Sequence, residues 1–490
     1  MPAAELLLNV RGDARIAVLP SLAQTTTYVL LEQEDWFEEE IRFVRRWLKP
    51  GMRAIDVGAN LGLYSAAMAK AVGRGGRVWA FEPAPVAAAL LQRTIEINRC
   101  SQATLQRAAV SDASGSIRLA LAERTEESAV VTAQSDPREV IEVPALTLDE
   151  AAGRLGWADI DFLKLDIEGH ELPAIRGAGD FLGDGSPLVM LEIKTKGRPH
   201  LEALPALEAL GYLPYRLLPG PLLLVPFDAG AIDAALLNVF ACKADRARRL
   251  AADGVLIEGD APGVPVAPGD AWAAYVQSTP YCAEMASHWR RKPGLLADMG
   301  EKSYLQALAA FALCGDGRKS AAERYGWLSR AFECAGEALA SEDTLAHRMT
   351  YSRLALDLGE RQIAVNSLGH ALGALDGQSR EAAAEPFLAP LERYERIPIG
   401  GRVGEWLRCA ITEAIEKRRA YSSRFDPRTS LALLETTRDS GFVSLEMERR
   451  WQLARMALGI QAAAEPRPAL CQHSDENLNP DFWSGAVPIR

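Results

Sequence analysis

Two stretches carry residues whose types and spacing suit chemistry: Asp56-Val57-Gly58-Ala59-Asn60-Leu61-Gly62 and Lys164-Leu165-Asp166-Ile167-Glu168-Gly169-His170-Glu171. In the first, apolar residues lead into an acid, two glycines follow four apart, and an Ala-rich helical pattern comes next. This predicts a strand ending in a tight turn that opens a helix, the place where open α/β sheets hold ligands. A second strand-like run, residues 77–81, ends in Glu82-Pro83. Glu82 lies about twenty residues beyond the turn, where an acid meets the ribose of an adenosine cofactor. A dinucleotide turn needs G-x-G-x-x-G so that backbone can press on a pyrophosphate, and Gly58 and Gly62 lack that triple spacing. An acid two residues before the first glycine fits instead a turn that holds S-adenosylmethionine, with Glu82 accepting hydrogen bonds from the ribose hydroxyls. A tight βα turn with a capping acid and no ligand is the plain alternative. The role of Asn60 is open, and Asp112, just after a strand, reads as an adenine contact or an ordinary turn acid.

If the turn holds S-adenosylmethionine, the second stretch would serve methyl transfer, an in-line displacement that needs the acceptor atom held about 3 Å from the methyl and, where that atom belongs to a hydroxyl, a base to take its proton. Lys164, Asp166 and Glu168 come at two-residue intervals and share one face if the strand continues. A lysine beside two carboxylates keeps them charged, and Asp166 is expected to hold the cofactor's methionine end or to order the acceptor. His170 titrates near neutrality and is the candidate base. Against these stand an ordinary strand-end ion pair for Lys164 and Asp166, and a helix-capping role for His170. Asp166, Glu168 and His170 also suit Mg or Mn by ligand type. Consecutive strand residues diverge more than three ligands of one ion allow, so no metal is assigned. Glu192 ends a neighbouring strand-like run, residues 187–193, and faces the same cleft in this reading.

Positioning these groups takes an alternation of strands and helices, and the chain supplies one. From Asp35, residues Trp36, Phe37, Ile41, Val44 and Leu48 recur at helical steps up to Lys49-Pro50-Gly51. The strand–turn–helix around Gly58 follows, then the strand to Glu82 and a helix through Asn98. Residues 104–110 and 142–148 read as strands, with a hairpin around Ser114-Gly115 and a mobile loop over 123–139. Residues 160–166 and 187–193 read as buried strands, and a helix over 199–210 and strand-like runs to Cys242 follow. The pattern predicts a mainly parallel sheet with helices on both faces. Ahead of it, residues 1–35 hold β-like pieces at 15–19 and 26–31, expected as a hairpin or lid. The Pro- and Gly-rich residues 249–275 read as a linker. Residues 276–465 are helical, as a bundle or a tetratricopeptide-like array, and residues 466–490 as a tail packed across another surface. The catalytic unit then spans 36–248.

The 490 residues are 48% hydrophobic and 24% charged, ordinary for a globular chain of two or three domains. A net charge of -11 argues against nonspecific nucleic-acid binding, which needs a basic surface. Seven cysteines without a CxxC pair suggest reduced thiols in a cytoplasmic protein, not a disulfide frame or zinc site. No run approaches the roughly 18 apolar residues of a membrane span, and residues 1–10 lack the basic start of a signal peptide.

Taken together, Trp36-Phe37-Glu38, Ile55-Asp56-Val57-Gly58-Ala59-Asn60-Leu61-Gly62, Phe81-Glu82-Pro83, Ala109-Val110-Ser111-Asp112 and Leu163-Lys164-Leu165-Asp166-Ile167-Glu168-Gly169-His170-Glu171 resemble the FkbM family of S-adenosylmethionine-dependent methyltransferases. The resemblance covers roughly residues 30–245. It implies a class I, Rossmann-like methyltransferase fold and O-methylation of a hydroxyl on a sugar, polyketide or other secondary metabolite. With it, the cofactor set becomes Asp56, Gly58, Asn60, Gly62, Glu82, Asp112 and Glu38, and the catalytic set His170, Asp166, Lys164, Glu168 and Glu192. A sugar or glycan hydroxyl is the expected acceptor. The alternatives are a protein or secondary metabolite docked by the helical half, and a methyltransferase-like scaffold without turnover. The helical half has no counterpart in the minimal family domain and is expected to dock an acceptor or protein, or to form a homo-oligomer.

Overall fold

The structure is a computed structural model that describes residues 5–122, 125, 129–130, 139–195, 198–199, 201–230, 232–233, 236–289, 303–382, 385–460 and 466–486. The loop expected at 123–139 lies mostly outside them. The chain opens with an antiparallel hairpin, β1 (Leu6–Val10) and β2 (Ala14–Val18), then helices α1 (Thr25–Gln33) and α2 (Glu39–Trp47). The β-branched run at 26–31, expected as a strand, is helical. Every residue from Thr25 to Glu32 is buried, and that burial overrides the local preference.

An alternating unit follows: β3 (Arg53–Val57), α3 (Leu63–Val72), β4 (Arg77–Phe81), α4 (Pro85–Ile97) and β5 (Ala103–Gln106). Strands β6 (Ala109–Val110), β7 (Gly115–Leu121), β8 (Ala129–Val130) and β9 (Glu139–Leu146) form a separate sheet in the order β6-β9-β7-β8. Because β9 lies between β6 and β7, the two strands flanking Ser114 do not pair as a hairpin. The chain returns through α5 (Leu148–Leu155), β10 (Phe162–Leu165), α6 (Glu171–Arg176), α7 (Gly179–Asp184) and β11 (Leu188–Glu192). It closes with β12 (Lys194–Thr195), β13 (Arg198–Pro199), α8 (Leu204–Ala209), β14 (Leu213–Leu218), β15 (Leu223–Pro226), β16 (Asn238–Cys242) and α9 (Ala244–Ala252).

The central sheet runs β15-β14-β16-β11-β10-β3-β4-β5. Strands β11, β10, β3, β4 and β5 are parallel, and the β16, β14 and β15 edge is joined by antiparallel pairings. Helices cover both faces. Ile41, Val44, Met68 and Leu91 pack on one side, and Leu148, Ala174, Leu182 and Leu207 on the other. This is why β10 and β11 are apolar apart from Lys164 and the terminal Glu192. The fold is the mainly parallel, Rossmann-like one expected. From β3 the chain moves outward through β4 and β5, then recrosses to place β10 on the other side of β3. The carboxyl ends of β3 and β10 therefore flank the topological switch point, where a crevice opens.

The remainder is helical: α10 (Gly269–Ser278), α11 (Pro280–Trp289), α12 (Ser303–Cys314), α13 (Ala321–Ser341), α14 (Leu345–Leu358), α15 (Arg361–Ala382), α16 (Glu392–Glu395), α17 (Val403–Arg419), α18 (Pro427–Glu435), α19 (Leu445–Ala457) and α20 (Pro480–Trp483). The Pro- and Gly-rich connection packs closely. Leu256 bridges to Leu224, and a Cβ on Gly326 of α13 would lie 2.5 Å from the Pro262 carbonyl. Helix α19 meets α1 through buried charges: Arg450 lies 3.8 Å from Glu32, 3.5 Å from Glu416 and 3.2 Å from Glu446, and Arg449 lies 3.5 Å from Glu34. The C-terminal segment lies against β1, where the Asn9 amide donates to Asn479 Oδ1 at 2.8 Å. All seven cysteines are free thiols. No described helix is long and apolar enough to cross a membrane.

Candidate active site

Strand β3 delivers Asp56 into the sheet one residue before its end. Its carboxyl is fully buried; Oδ2 accepts from Ser65 Oγ at 2.6 Å, and Lys164 Nζ stands 3.7 Å from Oδ1. Burial raises its pKa, and Lys164 offsets only part of that. The chain then turns through Gly58, Asn60 and Gly62 at φ of 80°, 45° and 86°. A Cβ on Gly58 would lie 1.7 Å from the Asp166 carbonyl oxygen, and one on Gly62 would lie 2.5 Å from Leu91 Cδ1. Backbone atoms therefore demand glycine at position 58 before any ligand arrives, letting the turn press against the chain leaving β10, whereas at Gly62 the atom met is the end of a leucine side chain and the positive φ is the firmer requirement.

Asn60 takes the left-handed conformation that its short polar side chain tolerates. Its N–H donates to Glu82 Oε2 at 2.9 Å, while Oε1 accepts from the Ala84 N–H at 2.8 Å. Glu82 thus ties the turn to the start of α4. Burial raises its pKa to about 7 against the pull of those two N–H groups. Asn60 Oδ1 is buried with no hydrogen-bond partner among the described residues.

On β10, Lys164 sits in register with Asp56 of β3 and Met190 of β11. Its side chain is 3% exposed; Nζ donates to Asp166 Oδ2 at 2.8 Å and lies 5.0 Å from the centroid of the Tyr64 ring. Burial alone would lower the ammonium pKa, but Asp166 and Asp56 outweigh it and hold the group above its usual value. Glu38, half-buried just before α2, accepts from Tyr64 Oη at 2.7 Å. Burial first, then the Asp166 charge, raise its pKa. Glu40 beside it is raised by burial and by Glu38.

Past β10 the alternation stops, because Glu168 and Gly169 have φ of 56° and 93°. Even so, carboxylate oxygens of Asp166, Glu168 and Glu192 lie within 4.8 Å of one another. Burial, then Asp166 and Glu168, drive the Glu192 pKa up, and its Oε2 is buried without a hydrogen-bond partner among the described residues. The acids close enough to share a cation are therefore these three, with Glu192 in the place that spacing alone offered to His170.

His170 stands at the N-cap of α6 without a side-chain capping bond, and Nε2 is 2.9 Å from Ser111 Oγ. Burial lowers its pKa against the pull of Asp112, leaving the imidazole neutral near pH 7. Asp112 is exposed and accepts from Ser111 Oγ at 3.2 Å. Glu171, the first residue of α6, ties down the turn before the helix, Oε1 accepting from the Ile167 and Gly169 N–H groups at 3.0 and 3.2 Å.

Besides Gly58, Asn60, Gly62 and Glu82 at the turn, the candidates fall into three groups. The buried Asp56 and Lys164 form a charge cluster with the partly exposed Asp166 and Glu38; Asp166, Glu168 and Glu192 form an acidic one; His170 stands apart with Ser111 and Asp112. Sequence reasoning passed over Tyr64, Ser65 and Ser111. The first two occupy the opening turn of α3, whose side chains lean back over the Gly58–Gly62 turn, and that position was the available signal.

No curated protein matches the chain. Among solved structures it resembles a methyltransferase FkbM from Methylobacillus flagellatus at 18% identity, over 39% of this chain and 43% of that one, with a TM-score of 0.27. The chain thus spans less than half the length of that protein. It also resembles a SAM-dependent O-methyltransferase from Thermotoga maritima (18% identity, 50% and 94% of the two chains, TM-score 0.26). A third is a fibrillarin from Aeropyrum pernix with natively bound S-adenosyl-L-methionine (14% identity, 49% and 84%, TM-score 0.25). Residues 56–214, which hold every candidate residue of the site except Glu38, match the family model of the methyltransferase FkbM domain.

Proposed function

We propose that the protein is an S-adenosylmethionine-dependent O-methyltransferase acting on a hydroxyl of a sugar or glycan. One observation carries the reading: a glycine turn with its ribose-type acid, Glu82, stands at the switch point beside Asp56, Glu38, Asp166, Glu168 and Glu192, against the ammonium of Lys164. This excess of carboxylate suits a cofactor whose amino-acid end carries an ammonium and a sulfonium. The turn suits its adenosine: each Glu82 oxygen keeps a lone pair, and Asn60 Oδ1 is an open acceptor among the described residues. Gly58, Gly62, Asn60 and Glu82 would hold the adenosine, with Asp112 toward the base, and Glu38, Asp56 and Asp166 the cationic end. When bound, the cofactor supplies an electrophilic methyl group.

The chain's own part is to orient an alcohol and take its proton. Asp166, fixed by Lys164, orients the hydroxyl. The proton passes to the acidic cluster at Glu168, beside a Glu192 that burial and its acidic neighbours hold protonated; in this reading Glu168 is the better-placed base because His170 Nε2 is engaged by Ser111. His170 then positions the Ser111–Asp112 segment. We also place the protein in the cytoplasm, a reading supported by its free thiols.

Calorimetry with S-adenosylmethionine, followed by transfer of labelled methyl to a panel of hexoses and oligosaccharides, tests the reading. Micromolar cofactor binding and label on a sugar hydroxyl are expected. Absence of cofactor binding would sink it, and label appearing only on non-sugar metabolites would replace the acceptor class. A Glu168→Gln variant is expected to lose turnover while His170→Ala keeps part of it; the reverse order would return the base to His170.

A further inference from the structure

The helical half joins the catalytic unit along a seam stitched by β14 and the turn after it. Arg216 Nη1 donates to the Leu358 carbonyl at 2.6 Å, and the Gly220 N–H donates to the Asp357 carbonyl at 3.1 Å. A cavity lies within this seam. One wall comes from the catalytic unit, including Phe37, Glu38 and Leu237, and the other from the helical half, including Arg361, Arg418 and Tyr421. The cavity adjoins the active site in two places. Glu38 is hydrogen-bonded to Tyr64, whose ring lies beneath Lys164. The Leu237 carbonyl accepts from the N–H of Ile193, the residue after Glu192.

The charges along this cavity are unequally satisfied. Arg216 is paired with Glu360 at 3.4 Å and Arg418 with Glu39 at 3.0 Å. Arg361, at the start of α15, has no such carboxylate partner among the described residues. Its Nε donates to the Arg418 carbonyl, its guanidinium stacks 3.5 Å from the centroid of the Tyr421 ring, and its Nη2 is buried without a hydrogen-bond partner among those residues. Arg418 Nε is likewise buried and unpartnered among them. Asp233 and Tyr421 favour the charge on Arg361, but burial, with Arg418 and Arg450 nearby, outweighs them and lowers its pKa to about 10. A guanidinium held over an aromatic ring with an N–H unfilled is a preorganised oxyanion donor. The cavity lining thus joins Glu38, beside the catalytic cluster, to Arg361 on the helical half, with Glu39, Glu40, Asp233 and Glu360 also on its walls.

We propose that this seam cavity is the acceptor site, and that Arg361, backed by Tyr421 and Arg418, binds an oxyanion on the acceptor, a carboxylate or phosphate, while the acceptor's hydroxyl points to the Glu38 end. The inference rests on the methyltransferase reading above and deepens it: the acceptor is an acidic hydroxylated molecule such as a sugar acid or sugar phosphate. It also gives the helical half its role as the specificity wall of the site.

The test uses the full chain and three probes: glucuronate, glucose 6-phosphate and glucose. Calorimetry in the presence of S-adenosylhomocysteine should show at least one acidic probe binding about tenfold or more tighter than glucose, as a charge-assisted hydrogen bond allows. Added salt should shrink that preference. Arg361→Gln should abolish the preference with cofactor affinity unchanged, and Arg361→Lys should keep part of it. The proposal is overturned if wild type prefers neither acidic probe, or if Arg361→Gln keeps the preference. Loss of cofactor affinity in Arg361→Gln but not in Arg361→Lys would likewise overturn it, since the arginine would then support the fold. Failure of the wild type to bind S-adenosylmethionine would instead fail the methyltransferase reading, so the two are separated.

Discussion

Replacing Lys164 by methionine tests whether the buried charge cluster is what holds β3 and β10 in their functional register. Lys164 Nζ lies 3.7 Å from an Asp56 carboxyl that is fully buried, while Asp166, 30% exposed, retains water as an alternative partner. Removing the ammonium leaves Asp56 as an uncompensated buried charge, a change that typically costs about 3–5 kcal/mol. For a unit of about 200 residues this corresponds to a fall of roughly 6–20 °C in Tm. The sign of the pH dependence follows from the two groups. Lys164 has a folded pKa above its unfolded value, so its contribution is present throughout pH 5–8 and is lost only in strong alkali. In the variant, Asp56 has a folded pKa raised further above its unfolded value of about 3.9, so its penalty grows as pH rises. The Tm gap between wild type and Lys164→Met should therefore be wider at pH 8 than at pH 5. Adding Asp56→Asn, which keeps an oxygen for Ser65, should recover more than half of the loss. Scanning calorimetry at the two pH values reads both effects. A gap that is pH-independent, or two substitutions that simply add, would refute the buried-pair argument.

Gly58→Ala should destabilise far more than Gly51→Ala. Both have positive φ, which costs about 1–2 kcal/mol for alanine, but only at Gly58 would the Cβ strike backbone, 1.7 Å from the Asp166 carbonyl oxygen, whereas Gly51 has nothing within 4 Å. Equal losses in urea denaturation would show that conformation alone sets the requirement. S-adenosylmethionine affinity should be full above pH 7 and weaken below it, because Glu82, with a pKa near 7, must be ionised to accept from ribose hydroxyls. Glu82→Gln should flatten that profile, and an unchanged slope in the calorimetric titration would remove Glu82 from the ribose site. Deleting residues 276–490 should abolish soluble folding and not merely acceptor turnover, since it strips Arg449 and Arg450 from Glu34 and Glu32, both fully buried. A truncated chain that bound cofactor normally would show those pairs to be expendable.

The local parts of the site are legible in the residues themselves. The glycine turn, its acid two residues upstream and the charged end of β10 each lie within one strand and the turn after it, where side-chain period and turn chemistry are short-range properties. The mainly parallel sheet follows from the alternation of such units. What the sequence does not contain is adjacency across strands. Lys164 meets Asp56 only because β10 recrosses to lie beside β3, and Glu192 joins Asp166 and Glu168 only because β11 comes next in the sheet. Spacing also misassigns α1, whose β-branched run is helical because it is enclosed by partners about 400 residues away, Ser423 on Tyr28 and Arg450 on Glu32. The need for glycine at position 58 is likewise set across the sheet, by the close approach of the turn to Asp166. Residue types and short spacings determined that this chain has a glycine turn with an acid before it and a charged strand end. Strand order and the packing of two distant halves decided which charges meet, which glycine meets backbone and where the cavity lined by Arg361 lies, because contacts between remote residues have no local period from which to be read.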